Sequence, residues 1–181
     1  MRIAADKQRT VELPLGTIPS TEGQFPFIAA LDPGGTTGWA LYNPITGIVR
    51  CGQIGPGPHH LELDRFLNNT FVETMDADGI FEVVCEEFDF RNSVDKDKLE
   101  LVSREYIGVV NLFNQTVGVP VFFENASSAL WFIKDIKLKK MGWYEDTVGL
   151  PHARDALRHL LKYMISQKKV RSPITDKWFE R

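Results

Sequence analysis

Residues 27–42, Phe-Ile-Ala-Ala-Leu-Asp-Pro-Gly-Gly-Thr-Thr-Gly-Trp-Ala-Leu-Tyr, limit what this chain can fold into more than any other stretch. The apolar run bounded by Pro26 and by Pro33-Gly34-Gly35 predicts a buried central strand, Phe27–Asp32, that ends in a carboxylate. Glycines at 34, 35 and 38 permit a tight turn before Trp39-Ala40-Leu41-Tyr42 begins a second extended run. The unit is a hairpin. A dinucleotide-binding turn needs a helix directly after its glycines, so that class is disfavoured. Asp-Pro-Gly is ordinary turn chemistry by itself. Asp32 gains a functional reading only from Glu86 and the segment Pro151-His152-Ala153-Arg154-Asp155-Ala156.

A chain of 181 residues suits one domain with a proper core. Hydrophobic content of 43% and charged content of 25% are those of a soluble globular protein. No apolar run approaches 18 residues, and charges, prolines and glycines interrupt the first 24, so a cytosolic protein is expected. Cys51 and Cys85 lack the number and spacing of a zinc site or disulfide framework and read as buried thiols. The net charge of −3 is unusual for a nucleic-acid protein, but the charge is polarised. From Glu62 to Asp89 nine acids face one base, whereas from Arg154 to Arg181 eight bases face three acids. That basic part and the cluster Lys134, Lys137, Lys139 and Lys140 suit phosphate contacts, and solvated helix faces explain them equally well.

Residues 1–25 show no sustained periodicity and read as an arm, 26–170 as one domain, and 171–181 as a tail. Strands are expected at Phe27–Asp32, Gly38–Tyr42 and Ile48–Ile54, a meander whose second turn is Asn43-Pro44-Ile45-Thr46-Gly47. Helical spacing of apolar residues follows in His59–Met75, then a β-rich run Phe81–Phe88 that should lie parallel to the first strand after the crossover. A long helix Val94–Thr116, a short strand Val119–Glu124, a helix from Ala126 to about Lys139 and a last helix His152–Ser166 complete the order. The fold class expected is α/β, a mixed sheet of order β-β-β-α-β-α-β-α-α with helices on both faces, which is the ribonuclease H-like architecture.

Phosphodiester hydrolysis promoted by two divalent ions needs hard oxygen ligands from several elements at one point. Asp32 and Glu86 are predicted at adjacent strand ends, and His152 and Asp155, three apart, share one helix face. Glu87 is the alternate if the strand register slips by one. Each group also has a bland reading: Asp155 as a first-turn acid, His152 as a cap, Glu86 as an edge charge.

Asp32-Pro33-Gly34 with Thr37-Gly38-Trp39-Ala40-Leu41, the strand Val83-Val84-Cys85-Glu86-Glu87-Phe88, Asn114-Gln115 before Val119-Pro120-Val121-Phe122, and His152-Ala153-Arg154-Asp155-Ala156-Leu157 together resemble the RuvC family of Holliday junction resolvases, in a phage-type form. The resemblance spans about residues 27–166. It implies a Mg2+-dependent endonuclease, with Mn2+ substituting, that acts as a homodimer on branched DNA in the cytoplasm, the host's if phage-encoded. It also implies that Asp32, Glu86, His152 and Asp155 are the catalytic, metal-holding set. Phe90, Arg91 and Asn92 are the nearest match to the family's junction wedge, with Asp89 where an aromatic would align, and Lys134 and Lys137 match its basic residues after the fifth strand. Two other classes fit parts of the sequence. An actin-like or sugar-kinase ATPase would use the Asp32–Thr37 turn on phosphates but needs a second such hairpin, and a non-catalytic DNA-binding module would not need the acids.

Overall fold

The computed structural model describes residues 9–18, 24–87, 102–168, 170 and 174–179. Their six strands are β1 (Val11–Pro14), β2 (Phe27–Asp32), β3 (Thr37–Asn43), β4 (Ile48–Ile54), β5 (Phe81–Glu87) and β6 (Val121–Asn125). They form one sheet in the order β1-β4-β3-β2-β5-β6. The meander β2-β3-β4 is antiparallel, and β5 and β6 run parallel to β2, as the crossover argument requires. The helices are α1 (His60–Asp76), α2 (Val102–Val117), α3 (Ala126–Phe132), α4 (Asp135–Lys140), α5 (Trp143–Asp146), α6 (Pro151–Ser166) and α7 (Asp176–Phe179).

β2 is buried along its whole length because both faces of the sheet are covered. Ile28 and Ala30 point into a core shared with Leu157, Leu160, Leu161 and Met164 of α6. Phe27, Ala29 and Leu31 point the other way, to Leu63 and Leu67 of α1 and Tyr106, Val110 and Phe113 of α2. Period-two alternation therefore puts Asp32 on the α6 face, and Glu86 shares that face because Val84 does. Burial of four large α6 side chains contributes roughly 6–12 kcal/mol as an upper bound, which is ample to dock the helix.

Several elements depart from the sequence expectation. Residues 11–14, read as part of an arm, pair with β4 as an edge strand. Only Leu13 of the four is fully buried, so the segment carries almost no alternation to detect. Arg9, just before it, donates to the carbonyls of Val148 and Asp146 at 3.0 and 3.1 Å. The expected helix Ala126–Lys139 is two helices, α3 and α4, broken at Ile133, whose carbonyl accepts from Arg158 Nε at 3.1 Å in place of continuing the helical ladder. The short helices α5 and α7 carry too few residues for a periodic signal. The stretch 94–101 of the expected long helix lies outside the described residues; the rest of that helix is α2.

Gly38 is where the sheet meets α6. A Cβ there would stand 2.0 Å from the His152 carbonyl oxygen and 2.2 Å from its carbon. Only glycine lets β3 approach the first turn of α6 this closely. Gly38→Ala is expected to destabilise the fold by about 1–3 kcal/mol or more, read as a lower denaturant midpoint at unchanged slope. Wild-type stability in that variant would mean that the helix is free to shift away.

Candidate functional site

Asp32, Glu86, His152 and Asp155 line one cleft of about 440 Å³, together with Arg158, His159 and residues of α3. β2 delivers Asp32 at its C-terminal tip, β5 delivers Glu86 one position before its end, and the first two turns of α6 deliver His152 and Asp155. Pro151 at the first helical position presets the backbone for that turn. The His152 backbone N–H donates to Gln53 Oε1 of β4 at 2.9 Å, which seats the helix start against the sheet.

Each acid is held by a basic partner on α6. His152 Nδ1 lies 2.9 Å from Asp32 Oδ2. His159 Nε2 lies 3.0 Å from Glu86 Oε2, and Arg158 bonds Asp155 as well as Asp135 of α4. Glu87 is exposed, and the strand's alternation turns it to the other face, so Glu86 is the member of the pair that enters the cleft.

The charges press on one another. Burial raises the Asp32 pKa, the His152 hydrogen bond opposes that rise, and the Glu86 charge adds to it. Asp155 is likewise raised by burial, opposed by Arg158 and reinforced by Asp32. His152 is raised chiefly by its hydrogen bond to Asp32, against the opposing effect of burial. Hard carboxylates from three separate elements that repel across one cleft fit a divalent cation. Among the described residues no group of three or more His, Cys, Asp or Glu side chains stands where it could hold a metal ion; each acid is turned onto its α6 partner instead.

Phe90, Arg91 and Asn92 lie outside the described residues. Lys134 is exposed at the N-terminal cap of α4. Lys137 is turned inward: its Nζ donates to the Phe132 carbonyl at 2.7 Å and lies 4.3 Å from the Trp178 ring centroid. Burial, with the Lys134 charge, lowers its pKa. Sequence reasoning missed Arg158, His159 and Glu124. Spacing held a signal for one of them, since 152, 155 and 159 repeat at i, i+3 and i+7 on a single helix face.

No family model matches the chain, and no curated protein matches it by sequence. Solved structures match by shape. Thermus thermophilus RuvC aligns with a TM-score of 0.52 at 18% identity, covering 79% of this chain and 96% of that one. The same protein in complex with Holliday junction substrate gives 0.53 at 17%, covering 80% and 96%. The chain has the RuvC fold. The mixed sheet expected from element order is thus found. No described helix is long and apolar enough to cross a membrane.

His159 gives the cleft a measurable pH signature. Burial opposes its charge, but hydrogen bonds to Glu124 and Glu86 and the charges of both outweigh burial, and its pKa is pushed up to about 9 from an ordinary 6.5. Lys162, on the far oxygen of Glu124, is the other charge in the cluster. A folded value above the unfolded one stabilises fully below about pH 6.5, and that contribution is lost as pH rises through about 9. Melting temperatures of chelated, metal-free protein should fall across that window, and His159→Gln should flatten the fall. An unchanged slope in the variant would assign the effect to other groups.

Proposed function

We propose that this protein is a divalent-cation-dependent endonuclease that cuts branched DNA, Holliday junctions and related forks or flaps, with Mg2+ as its natural ion, Mn2+ substituting, and a homodimer as its working form. The observation that carries the reading is the convergence of Asp32, Glu86, His152 and Asp155 on one cleft of a RuvC fold. One of the matched structures is described as RuvC in complex with Holliday junction substrate, which supports branched DNA as the substrate class.

Asp32, Glu86 and Asp155 are the oxygen donors for the ions, and His152 joins them. Ions bound there supply Lewis acidity at the scissile phosphate and lower the pKa of the attacking water. The protein's own contributions follow from its geometry. Asp32 sits deepest, between the Glu86 side and the α6 side of the cleft, so it is the acid placed to serve both. His152 is committed to Asp32 through Nδ1, which leaves Nε2 to bind a cation or accept a proton on the substrate side. Water attacks phosphorus and the 3′ oxygen leaves, giving 5′-phosphate and 3′-hydroxyl ends.

The cleft rim has features that suit nucleic acid. α3 exposes Trp131, 74% accessible, next to Leu130, which lines the cleft, and offers a flat aromatic face for an unpaired base. Lys134 lies three residues on as a phosphate contact. Two-fold symmetry in the proposed dimer would supply one cleft for each of two opposed strands.

With Mg2+, the protein should nick synthetic four-way junctions, and Asp32→Asn should lower cutting by about 10²–10³-fold or more while sparing DNA affinity. Full activity in that variant would remove Asp32 from the site. A titration with Ca2+ or Mn2+ should raise the melting temperature, by about 5–10 °C at a hundredfold excess over Kd, because bound ions relieve the repulsion between the acids. A flat titration would refute cation binding in the cleft.

A further inference from the structure

His159 is a buried ionisable group of α6 that the cleavage chemistry above does not use. It is 1% exposed, and its two ring nitrogens face two different strands. Nε2 is 3.0 Å from Glu86 Oε2, and Nδ1 is 3.2 Å from Glu124 Oε2. Glu86 of β5 and Glu124 of β6 are register partners, so their carboxylates emerge side by side on the same face of the sheet. Glu124 is itself only 8% exposed, and its second oxygen meets Lys162 Nζ at 3.2 Å. The cluster thus runs from the cleft inward as Glu86, His159, Glu124 and Lys162.

Two attachments distinguish this arrangement from a simple ion pair. One carboxylate would balance the charge of the ring but leave it free to rotate about its bond to that partner. A second, on the opposite nitrogen, fixes the ring plane. Lys162 then fixes the second carboxylate. What reaches the cleft is Glu86 anchored through Oε2, with Oε1 as the oxygen left for a ligand.

We infer that His159 is a positioning residue that sets the Glu86 carboxylate for cation uptake, with Glu124 and Lys162 as the supports that orient His159. The inference rests on reading the cleft as a divalent-cation site. Carboxylate ligands held by buried hydrogen-bond partners bind metal more tightly because the ligand is already oriented, and loss of such a partner weakens binding by about 10–100-fold.

The test is Ca2+ binding measured by calorimetry, with no cleavage involved, on wild type, His159→Gln, Glu124→Gln and Glu86→Gln. Circular dichroism checks the fold of each, and junction affinity in chelator checks the DNA surface. His159→Gln should lower Ca2+ affinity by about 10–100-fold with both checks unchanged. Glu124→Gln, which keeps size and hydrogen bonding, should lower it in the same direction by less, and it carries the test alone if the histidine variant fails to fold. Imidazole 15N–1H spectra supply a second readout: wild type should show both ring N–H signals of His159, and Glu124→Gln should shift the Nδ1 signal while retaining Nε2. If Glu86→Gln abolishes Ca2+ uptake while the His159 and Glu124 variants bind as wild type, the positioning role is overturned and the cation site stands. If Glu86→Gln also binds as wild type, the cation reading of the cleft falls, and this inference falls with it.

Discussion

Backbone contact between β3 and the first turn of α6 is the constraint on which the cleft depends. Gly38 admits the His152 carbonyl to a distance that no side chain would allow, and Gln53 holds the adjoining N–H. With the helix start pinned there, 3.6-residue periodicity sends His152, Asp155 and His159 along the side of α6 that faces the tips of β2, β5 and β6. A shift of the helix by one residue would rotate all of them by about 100° away from their partners. Asp32 and Glu86 come from the sheet, whereas Asp155 and the groups that restrain all three acids come from a single helix.

Different forces dock the helix and orient its polar groups. Apolar burial dominates docking, since Leu157, Leu160, Leu161 and Met164 are wholly enclosed. A buried ion pair such as His159 with Glu124 has much of its attraction offset by desolvation, and its larger effect is that it permits few geometries. Arg158 acts similarly toward the neighbouring helices. It meets Asp155, Asp135 and the Ile133 carbonyl, so the break between α3 and α4 is tied to the same helix that carries the candidate acids. Position in the cleft and position of its rim are coupled through one guanidinium.

The sheet is legible in the sequence because its strands are either continuous apolar runs or sit between strong turn signals, as Phe27–Asp32 and Ile48–Ile54 do. The four candidate acids and histidines are legible for a related reason: strand ends and a single helical turn are places that local pattern locates well. Glu124 is not legible, because its partnership with His159, 35 residues away, depends on which residue of β6 stands beside Glu86, and that parallel register is set by tertiary packing. The break at Ile133 is hidden for the same reason, since its cause is a side chain 25 positions further on. β1 is hidden because an edge strand with one enclosed residue has no alternation to read.

The edge strand also has a mechanical consequence. Arg9 grips two carbonyls in the turn that leads from α5 into α6, and Val11–Pro14 bolts that grip to β4. Arg9 and Val11–Pro14 are therefore a brace on the turn from which the helix of the cleft springs. Loss of that brace would leave the sheet's centre intact yet slacken the approach to His152 from more than a hundred positions away in the chain.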